Sequence, residues 1–374
     1  MNQPNVFVTP AWIALVLGGL AVAFLLTGFP FASDYTRGRE LGVLPDVLHE
    51  QATAEEALSG DPYRPISELM PERGYSEMQG GVSPRTPAAL LLQVPLVLIP
   101  QAALMPLITT LILILVAVAL WLTHRIARVE WKWVAWASPV VYFSYPVVTA
   151  ITYGSVSVVS MTVLILMAWA FQEESWSGVP LGIAAAMRLW PGLVIVGFWI
   201  AGRRRAAYVA ATVFLATNLL GLLLPGVTLE GTMSVILGGA GDWVNHNQNA
   251  SLAAFLDAWG LPIALPTLVM SGVSIWLAWR NPSEAIPLCV LGGLVASPLS
   301  WPAYLLVTMP ILAMWWTDGG RVPVALIGAA FLLWPFTPTS AKGLLALIAL
   351  VAMFVHVSRQ HPPDRATPHP PLPA

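Results

Sequence analysis

Charged side chains are scarce in this sequence. Asp, Glu, Lys and Arg make up 10% of its 374 residues, whereas a soluble globular domain carries about 25%. The single cysteine, Cys289, lies in an apolar run, which excludes an intrachain disulfide, and no Cys/His spacing fits a metal site. The formal net charge of −2 argues against a nucleic-acid partner.

Long uncharged runs account for the missing charges. Hydrophobic residues make up 57% of the chain, and no Asp, Glu, Lys or Arg occurs in 11–32, 133–172, 206–229 or 322–341. Each run is near or above the ~18–20 residues that a helix needs to cross a bilayer. The first run is too long for the core of a signal peptide and follows no basic segment, so we predict a retained helix.

The pattern predicts an all-α polytopic membrane protein with about ten transmembrane helices. The predicted spans are 11–31, 101–123, 133–150, 154–171, 206–224, 261–279, 285–299, 302–316, 322–337 and 343–357. Residues 1–360 are predicted to form one integral membrane domain, and the Pro-rich residues 361–374 a disordered cytoplasmic tail. No internal repeat suggests the inverted halves of a transporter.

Residues 178–202 are predicted to form a re-entrant helix pair that enters from the cytoplasm. As one full span, they would place the arginines at 203–205 opposite Arg125, although short basic loops stay cytoplasmic. Pro191 disfavours a continuous helix, and each half then measures ~15 Å, about half a bilayer. Arg188 remains at membrane depth, where burying a charge costs free energy, so a charged residue there indicates a function. The alternative is that Arg188 snorkels to the interface or forms a structural ion pair.

This arrangement places both termini in the cytoplasm and two long segments, 32–100 and 225–260, on the outer side. The outer segments hold 13 of the 19 Asp and Glu residues. Within the first, 46–58 is predicted to be an amphipathic surface helix and 87–100 an apolar stretch lying in the membrane interface. Arginines outnumber lysines 15 to 2, as is typical of a GC-rich bacterium, so we expect a bacterial cytoplasmic membrane.

Asp34 directly follows the first predicted helix, with Arg37 behind it. A carboxylate here can accept a proton from a hydroxyl, and a nearby cation can hold a phosphate. Both would be needed to move a sugar from a lipid phosphate to an alcohol. A second interpretation is that Asp34 caps the next helix, and the residues alone favour this one.

The second outer segment contains a polar run between apolar spans. Its amides and imidazole, Asn245, His246, Asn247 and Gln248, can both donate hydrogen bonds to sugar hydroxyls and accept them. An ordinary polar loop is the alternative interpretation.

Five segments of the chain have motifs of a known family. They are Asp34-Tyr35, Gly60-Asp61-Pro62-Tyr63, Thr86-Pro87 through Pro95-Leu96, Met187-Arg188-Leu189-Trp190-Pro191 and Asn247-Gln248-Asn249-Ala250-Ser251-Leu252. Together these segments resemble glycosyltransferase family 87, the polyprenyl-phosphate-mannose-dependent α-mannosyltransferases of the GT-C fold. Arg188 stands where the family has Lys in a Lys-x-aromatic-Pro break.

The chain departs from the family at two positions. Ser297-Pro298-Leu299-Ser300-Trp301 matches the family's Ser-Pro-x-Ser-Trp, but Pro302-Ala303-Tyr304 follows it where a His is expected. The family's Gly-Gln pair is replaced by Gly154-Ser155. If that His assists the donor phosphate, His246, Tyr304 or an outer arginine must replace it.

The resemblance implies an inverting hexosyltransferase that moves a sugar, mannose in the family, from a polyprenyl phosphate to a hydroxyl of a glycolipid or glycan on the outer face. Asp34 would be the general base, and no cofactor or metal is required because the leaving group carries phosphate charge. The other implied donor and substrate contacts are Arg37, Arg85, Arg188, Asn245, His246, Asn247, Gln248, Trp301 and Tyr304. A transporter or flippase of a lipid-linked saccharide precursor, or a scaffold without a site, is the alternative.

Overall fold

The computed structural model describes residues 45–72, 85–244, 249, 251–257, 260–333 and 339–359. Within these ranges every regular element is helical, in agreement with the predicted all-α class. Several predictions fall outside the described residues: the first span at 11–31, Asp34, Arg37, Asn245, His246, Asn247, Gln248 and the tail at 361–374.

In the parts of the first predicted outer segment that the structure describes, 45–72 and 85–100, there are three α-helices. They are α1 (Pro45–Ser59), α2 (Ile66–Glu72) and α3 (Pro87–Gln93), and α3 continues as the 3-10 helix Val94–Leu98. Thr86 caps α3 by accepting a hydrogen bond from the backbone N–H of Ala89 at 3.0 Å. The apolar stretch after Thr86 is therefore helical but short, as expected, while its depth in the interface stays a prediction.

The prediction of a surface position for α1 was wrong. Apolar residues such as Leu48 and Ala52 are buried, as an amphipathic helix requires, but Ala54 and the polar Glu50 are buried as well. Gln51 donates from Nε2 to the carbonyls of Leu96 and Ile99, both at 3.0 Å. Small residues let α1 lie against the 3-10 helix, so the face with polar side chains turns into the protein.

The remaining helices account for the predicted spans within the described ranges and for the predicted pair at 178–202. They are α4 (Gln101–Ala127), α5 (Trp131–Phe143), α6 (Tyr145–Tyr153), α7 (Val156–Ala170), α8 (Gly178–Met187), α9 (Gly192–Ile200), α10 (Arg204–Gly221), α11 (Leu229–Val244), α12 (Leu252–Asp257), α13 (Ala264–Arg280), α14 (Ala285–Ala296), α15 (Met309–Thr317), α16 (Arg321–Leu333) and α17 (Thr339–Arg359). Two of them, α11 and α12, lie in the second outer segment, where no helix was predicted. Helix α14 is buried along its whole length and lies at the centre of the core.

Among the described helices, one is long and apolar enough to cross a membrane, at Pro106–Ala127 within α4. Helices α5 and α6 make a second crossing if the pair, bent by 51°, is counted as one span. Pro146, in the first turn of α6, removes a backbone donor and so explains why the predicted span 133–150 is not straight. The count of ten crossings stays a prediction.

Two other predicted elements contain breaks. The span predicted at 302–316 begins as a 3-10 helix, Pro302–Thr308, before α15. The pair predicted at 178–202 is interrupted at the expected place, because α8 ends at Met187 and Pro191 precedes α9. Arg188 lies in this interruption with an extended backbone. Whether both halves enter from one side of a membrane stays a prediction.

Segments predicted to share a side contact one another. On the predicted cytoplasmic side, Arg203 pairs with Glu173, so the acidic inner loop meets the basic one. On the predicted outer side, Tyr63 Oη accepts from the N–H of Thr228 at 3.1 Å and donates to its carbonyl at 3.0 Å. The latter contacts join the two long outer segments directly. The side that faces the cytoplasm stays a prediction.

Candidate functional site

Helix α1 presents three ionisable side chains on one face. Asp46, His49 and Glu50 are spaced by three and four residues, which places them on adjacent turns of one side. Ser155 Oγ donates to Asp46 Oδ2, and Ser157 Oγ donates to Glu50 Oε1. Both serines lie where α7 begins, so this helix start holds the two carboxylates.

Arg85 faces the same side chains from the residue before the cap of α3. It is 4% exposed, and its Nη1 donates to Gln93 Oε1. Its Nη2 lies 3.2 Å from Nδ1 of His49. A guanidinium can only donate, so Nδ1 accepts and the neutral imidazole carries its proton on Nε2. Arg85 therefore lies in the loop before α3, and its side chain is buried there.

Arg188 is anchored at the break between α8 and α9. Its Nε donates to the hydroxyl of Tyr304 at 3.2 Å, and Tyr304 is only 1% exposed. The Tyr304 ring lies edge-on to Trp190, with centroids 6.0 Å apart. A Cβ at Gly293 of α14 would meet Trp190 Cε3 at 2.8 Å, so the absence of a side chain at Gly293 permits this packing. Arg188 and Tyr304, two predicted site residues, are thus joined.

The charges of these residues act on one another across the cluster. Burial raises the pKa of Asp46 to about 6, although the Ser155 hydrogen bond, Arg85 and Arg188 lower it. Burial, and then Arg85 and Arg188, hold the pKa of His49 well below its usual range, so the imidazole is neutral. Burial lowers the pKa of Arg85 to about 10, which leaves this side chain charged at neutral pH. Two carboxylates therefore lie among two guanidinium groups.

Replacing Asp46 with Asn is expected to stabilise the protein at neutral pH. The folded-state pKa, about 6, exceeds the ordinary value of 3.8, with Ser155, Glu50, Arg85 and Arg188 as the neighbours acting on it. The folded state then binds more protons than the unfolded state, and stability falls as pH rises from about 4 to about 6. The gain is at most roughly 3 kcal/mol above that window and vanishes below it.

Melting temperatures of the wild type and Asp46→Asn between about pH 4 and pH 8 would measure this difference. The amide oxygen of Asn can still accept from Ser155. A pH-independent difference between the two proteins would contradict the shifted titration.

The two family-like segments near residues 250 and 300 meet through Asn249. Its Nδ2 donates to the carbonyl of Pro298 at 2.8 Å, and its Oδ1 accepts from the N–H groups of Ser300 at 2.8 Å and Ser251 at 3.2 Å. Asn249 is 5% exposed. This side chain therefore fixes one end of the predicted polar run against the segment that carries Trp301.

The structure brings together only part of the predicted site. Arg85, Arg188 and Tyr304 belong to one cluster with Asp46 and Glu50 through hydrogen bonds and charge interactions. Trp301 lies at the start of the 3-10 helix that carries Tyr304 and packs against the core.

The site residues on α1 were missed because residues 46–58 were predicted to form an amphipathic surface helix, in which acidic side chains face water. Their spacing by three and four residues was the available signal. Within the described ranges, no group of three or more His, Cys, Asp or Glu side chains could hold a metal ion.

A small cleft opens beside this cluster. It is formed by α1, by the turn that follows it and by the buried arginine before α3. Its lining includes His49, Thr53, Pro62, Tyr63, Arg64, Arg85 and Leu90. The cleft adjoins the imidazole and Arg85, and Tyr63 in its wall also bonds the second outer segment.

Comparison with known proteins gives a consistent family. The family description "Glycosyltransferase family 87" matches residues 86–302, more than half of this chain. A polyprenol-phosphate-mannose-dependent alpha-(1-2)-phosphatidylinositol pentamannoside mannosyltransferase of Mycolicibacterium smegmatis is 30% identical over 220 residues, covering 54% of this chain and 52% of the relative. The protein of the same name from Mycobacterium tuberculosis is 28% identical over 191 residues, covering 46% and 43%.

A third relative is similar over a comparable length. The polyprenol-phosphate-mannose-dependent alpha-(1-2)-phosphatidylinositol mannoside mannosyltransferase of Mycobacterium tuberculosis is 26% identical over 241 residues, covering 56% of each chain. The chain spans about half the length of the curated relatives it matches. No solved structure matches it.

Proposed function

This chain belongs to glycosyltransferase family 87, and we propose on that basis that it transfers a sugar from a polyprenyl phosphate to a hydroxyl of a glycolipid or glycan. The observation that carries the proposal is the anchored Arg188–Tyr304 pair beside buried Arg85 and two carboxylates. The donor is proposed to be polyprenyl phosphate mannose, because the similar mycobacterial proteins are named for it.

The proposed reaction is an inverting displacement at the anomeric carbon. The oxygen of the acceptor hydroxyl forms a bond to that carbon, and the bond from the carbon to the phosphate oxygen breaks. Asp34 accepts the hydroxyl proton, and the electron pair leaves with the lipid phosphate. This role for Asp34 is supported by its position after the first predicted helix and by the family's Asp-aromatic start.

Arg188 is proposed to hold the phosphate as negative charge develops on its leaving oxygen. Its backbone is extended at the break between two helices, its N–H donates to the carbonyl of Ala184 at the end of α8, and Tyr304 fixes its Nε. Fixed donors stabilise such a charge without reorganising. Tyr304 stands where the family has its His, so we propose that the Arg188–Tyr304 pair takes over the role of that residue. Arg37, outside the described residues, and Arg85 remain candidates for further phosphate contacts.

The reaction is proposed to occur at the outer face of a bacterial cytoplasmic membrane, with both termini in the cytoplasm. The long apolar helix α4 supports membrane insertion. Polar contacts between the two long outer segments support a site on their side. The donor's lipid tail would lie among the apolar helices, and the run Asn245, His246, Asn247 and Gln248 would contact the acceptor or sugar.

The proposal predicts that purified protein converts polyprenyl phosphate mannose and a phosphatidylinositol mannoside into free polyprenyl phosphate and a longer glycolipid. Mass spectrometry of the lipid products measures both. A nucleotide-linked mannose serves as the control donor and is expected to give no product. If the donor crosses proteoliposome membranes with its glycosidic bond intact and no acceptor is extended, the chain is a transporter instead.

A further inference from the structure

We infer that Glu50 determines donor specificity by accepting a hydrogen bond from one hydroxyl of the transferred sugar. The inference rests on the proposed function and deepens it. It concerns the part of the site on α1, which neither the family-like motifs nor the sequence pattern had assigned to the substrate.

Glu50 has one oxygen in use and one available. It is 4% exposed, and Oε1 accepts from Ser157, whereas buried Oε2 has no hydrogen-bond partner in the part of the chain that the structure describes. Buried polar atoms are nearly always paired, because burial removes the hydrogen bonds that water would supply. An unpaired buried carboxylate oxygen therefore indicates a donor that arrives with a ligand.

The groups facing Glu50 indicate what that ligand is. Its charge acts on both Arg85 and Arg188. Within the described ranges, the only hydrogen bond of Arg188 is the one from Nε to Tyr304, so its two terminal nitrogens are available as donors. Two guanidinium groups match a phosphate.

A site for phosphate alone would not contain carboxylates, because Asp46 and Glu50 repel an anion. An anion whose other end consists of hydroxyl groups fits this mixture. A hydroxyl donates to a carboxylate and a phosphate accepts from a guanidinium. A sugar linked to phosphate carries both groups, and Glu50 is the carboxylate assigned to the sugar, because its unpaired oxygen is buried whereas Asp46 is partly exposed.

The test uses four polyprenyl phosphate mannose analogues, each lacking one hydroxyl, at the 2, 3, 4 or 6 position. The wild type is expected to use one of the four ~10²-fold less efficiently in kcat/KM, because that analogue leaves Glu50 without its donor. Glu50→Ala should lose most of its activity with the parent donor but little with that analogue. The ratio of the two kcat/KM values would then fall to within a few fold of one.

Glu50→Gln keeps the shape of the side chain and serves as the test variant if Glu50→Ala does not fold. It should lower the ratio of kcat/KM for the parent donor to kcat/KM for that analogue by ~10-fold. Glu56→Gln is the matched control on the same helix. Its carboxylate lies 3.5 Å from Arg64, and its ratio should equal that of the wild type. Melting temperatures show whether each variant is folded.

The inference is overturned if the Glu50 variants discriminate among the four analogues as the wild type does. It is also overturned if the Glu50 variants lose activity equally with all donors, because an equal loss would mean that Glu50 has only a structural role. Failure of the proposed function looks different, because the wild type itself would then not transfer sugar from the parent donor.

Discussion

Replacing Asp34 with Asn is expected to lower the rate of sugar transfer ~10²–10⁴-fold, the contribution of a positioned general base. Asn cannot accept the proton that the acceptor hydroxyl loses as its oxygen attacks the anomeric carbon. The loss should appear in kcat, with the KM of the donor changed little, because the base acts after binding. Single-turnover assays with purified protein and polyprenyl phosphate mannose would measure it.

Asp61→Asn is the matched control for this experiment. Asp61 belongs to the same outer segment and is exposed, and its carboxylate lies 4.0 Å from Arg64, a long contact. Its rate should equal that of the wild type. A helix-capping role for Asp34 would instead lower the melting temperature and leave the rate per folded molecule unchanged. That outcome would remove Asp34 from the reaction.

Replacing Arg188 with Ala is expected to reduce kcat/KM for the donor ~10²–10³-fold, as for other groups that stabilise a developing negative charge. The Ala variant loses the guanidinium donors at the break between α8 and α9. Arg188→Lys should recover activity to within ~10-fold, because the charge remains and only the fork of donors is lost. Lys also stands at this position in the family that the chain resembles.

Arg203→Ala is a suitable control, since Arg203 pairs with Glu173 on the predicted opposite side of the protein. It removes an arginine without touching the cluster and should leave transfer unchanged. Equal losses for Arg188→Ala and Arg188→Lys would show that the charge is not what the reaction needs. The phosphate contact would then belong to another residue, with Arg85 the first to test.

Local features that depend on one stretch of chain could be predicted from the sequence. The interruption at 188–191 follows from Pro191, since the residue before a proline avoids the helical conformation. Helix α4 follows from an apolar run long enough to cross a bilayer. The helix at 45–59 was predicted at 46–58, because apolar residues recur there among acids and a turn signal begins at Gly60.

Features that depend on distant partners could not be predicted. The spacing on α1 places Asp46 and Glu50 on one side of the helix, but the sequence does not show that this side faces the start of α7. Ser157 lies 107 residues from its partner Glu50 in sequence, and Ser155 lies 109 residues from Asp46. Ser155 was noted as a departure from the family's Gly-Gln pair, but its contact with Asp46 had no signal in the sequence.

The distances along the chain between these partners set an order of assembly during synthesis. Arg85 is buried beside His49 soon after α3 forms, but the carboxylates obtain their serine partners only once α7 has been made. Arg188 must wait longer, because Tyr304 follows it by 116 residues. A chain that ends before residue 304 would contain both arginines and both acids without the hydroxyl that fixes Arg188. The proposed phosphate site thus becomes complete only after the chain has been synthesised beyond residue 304.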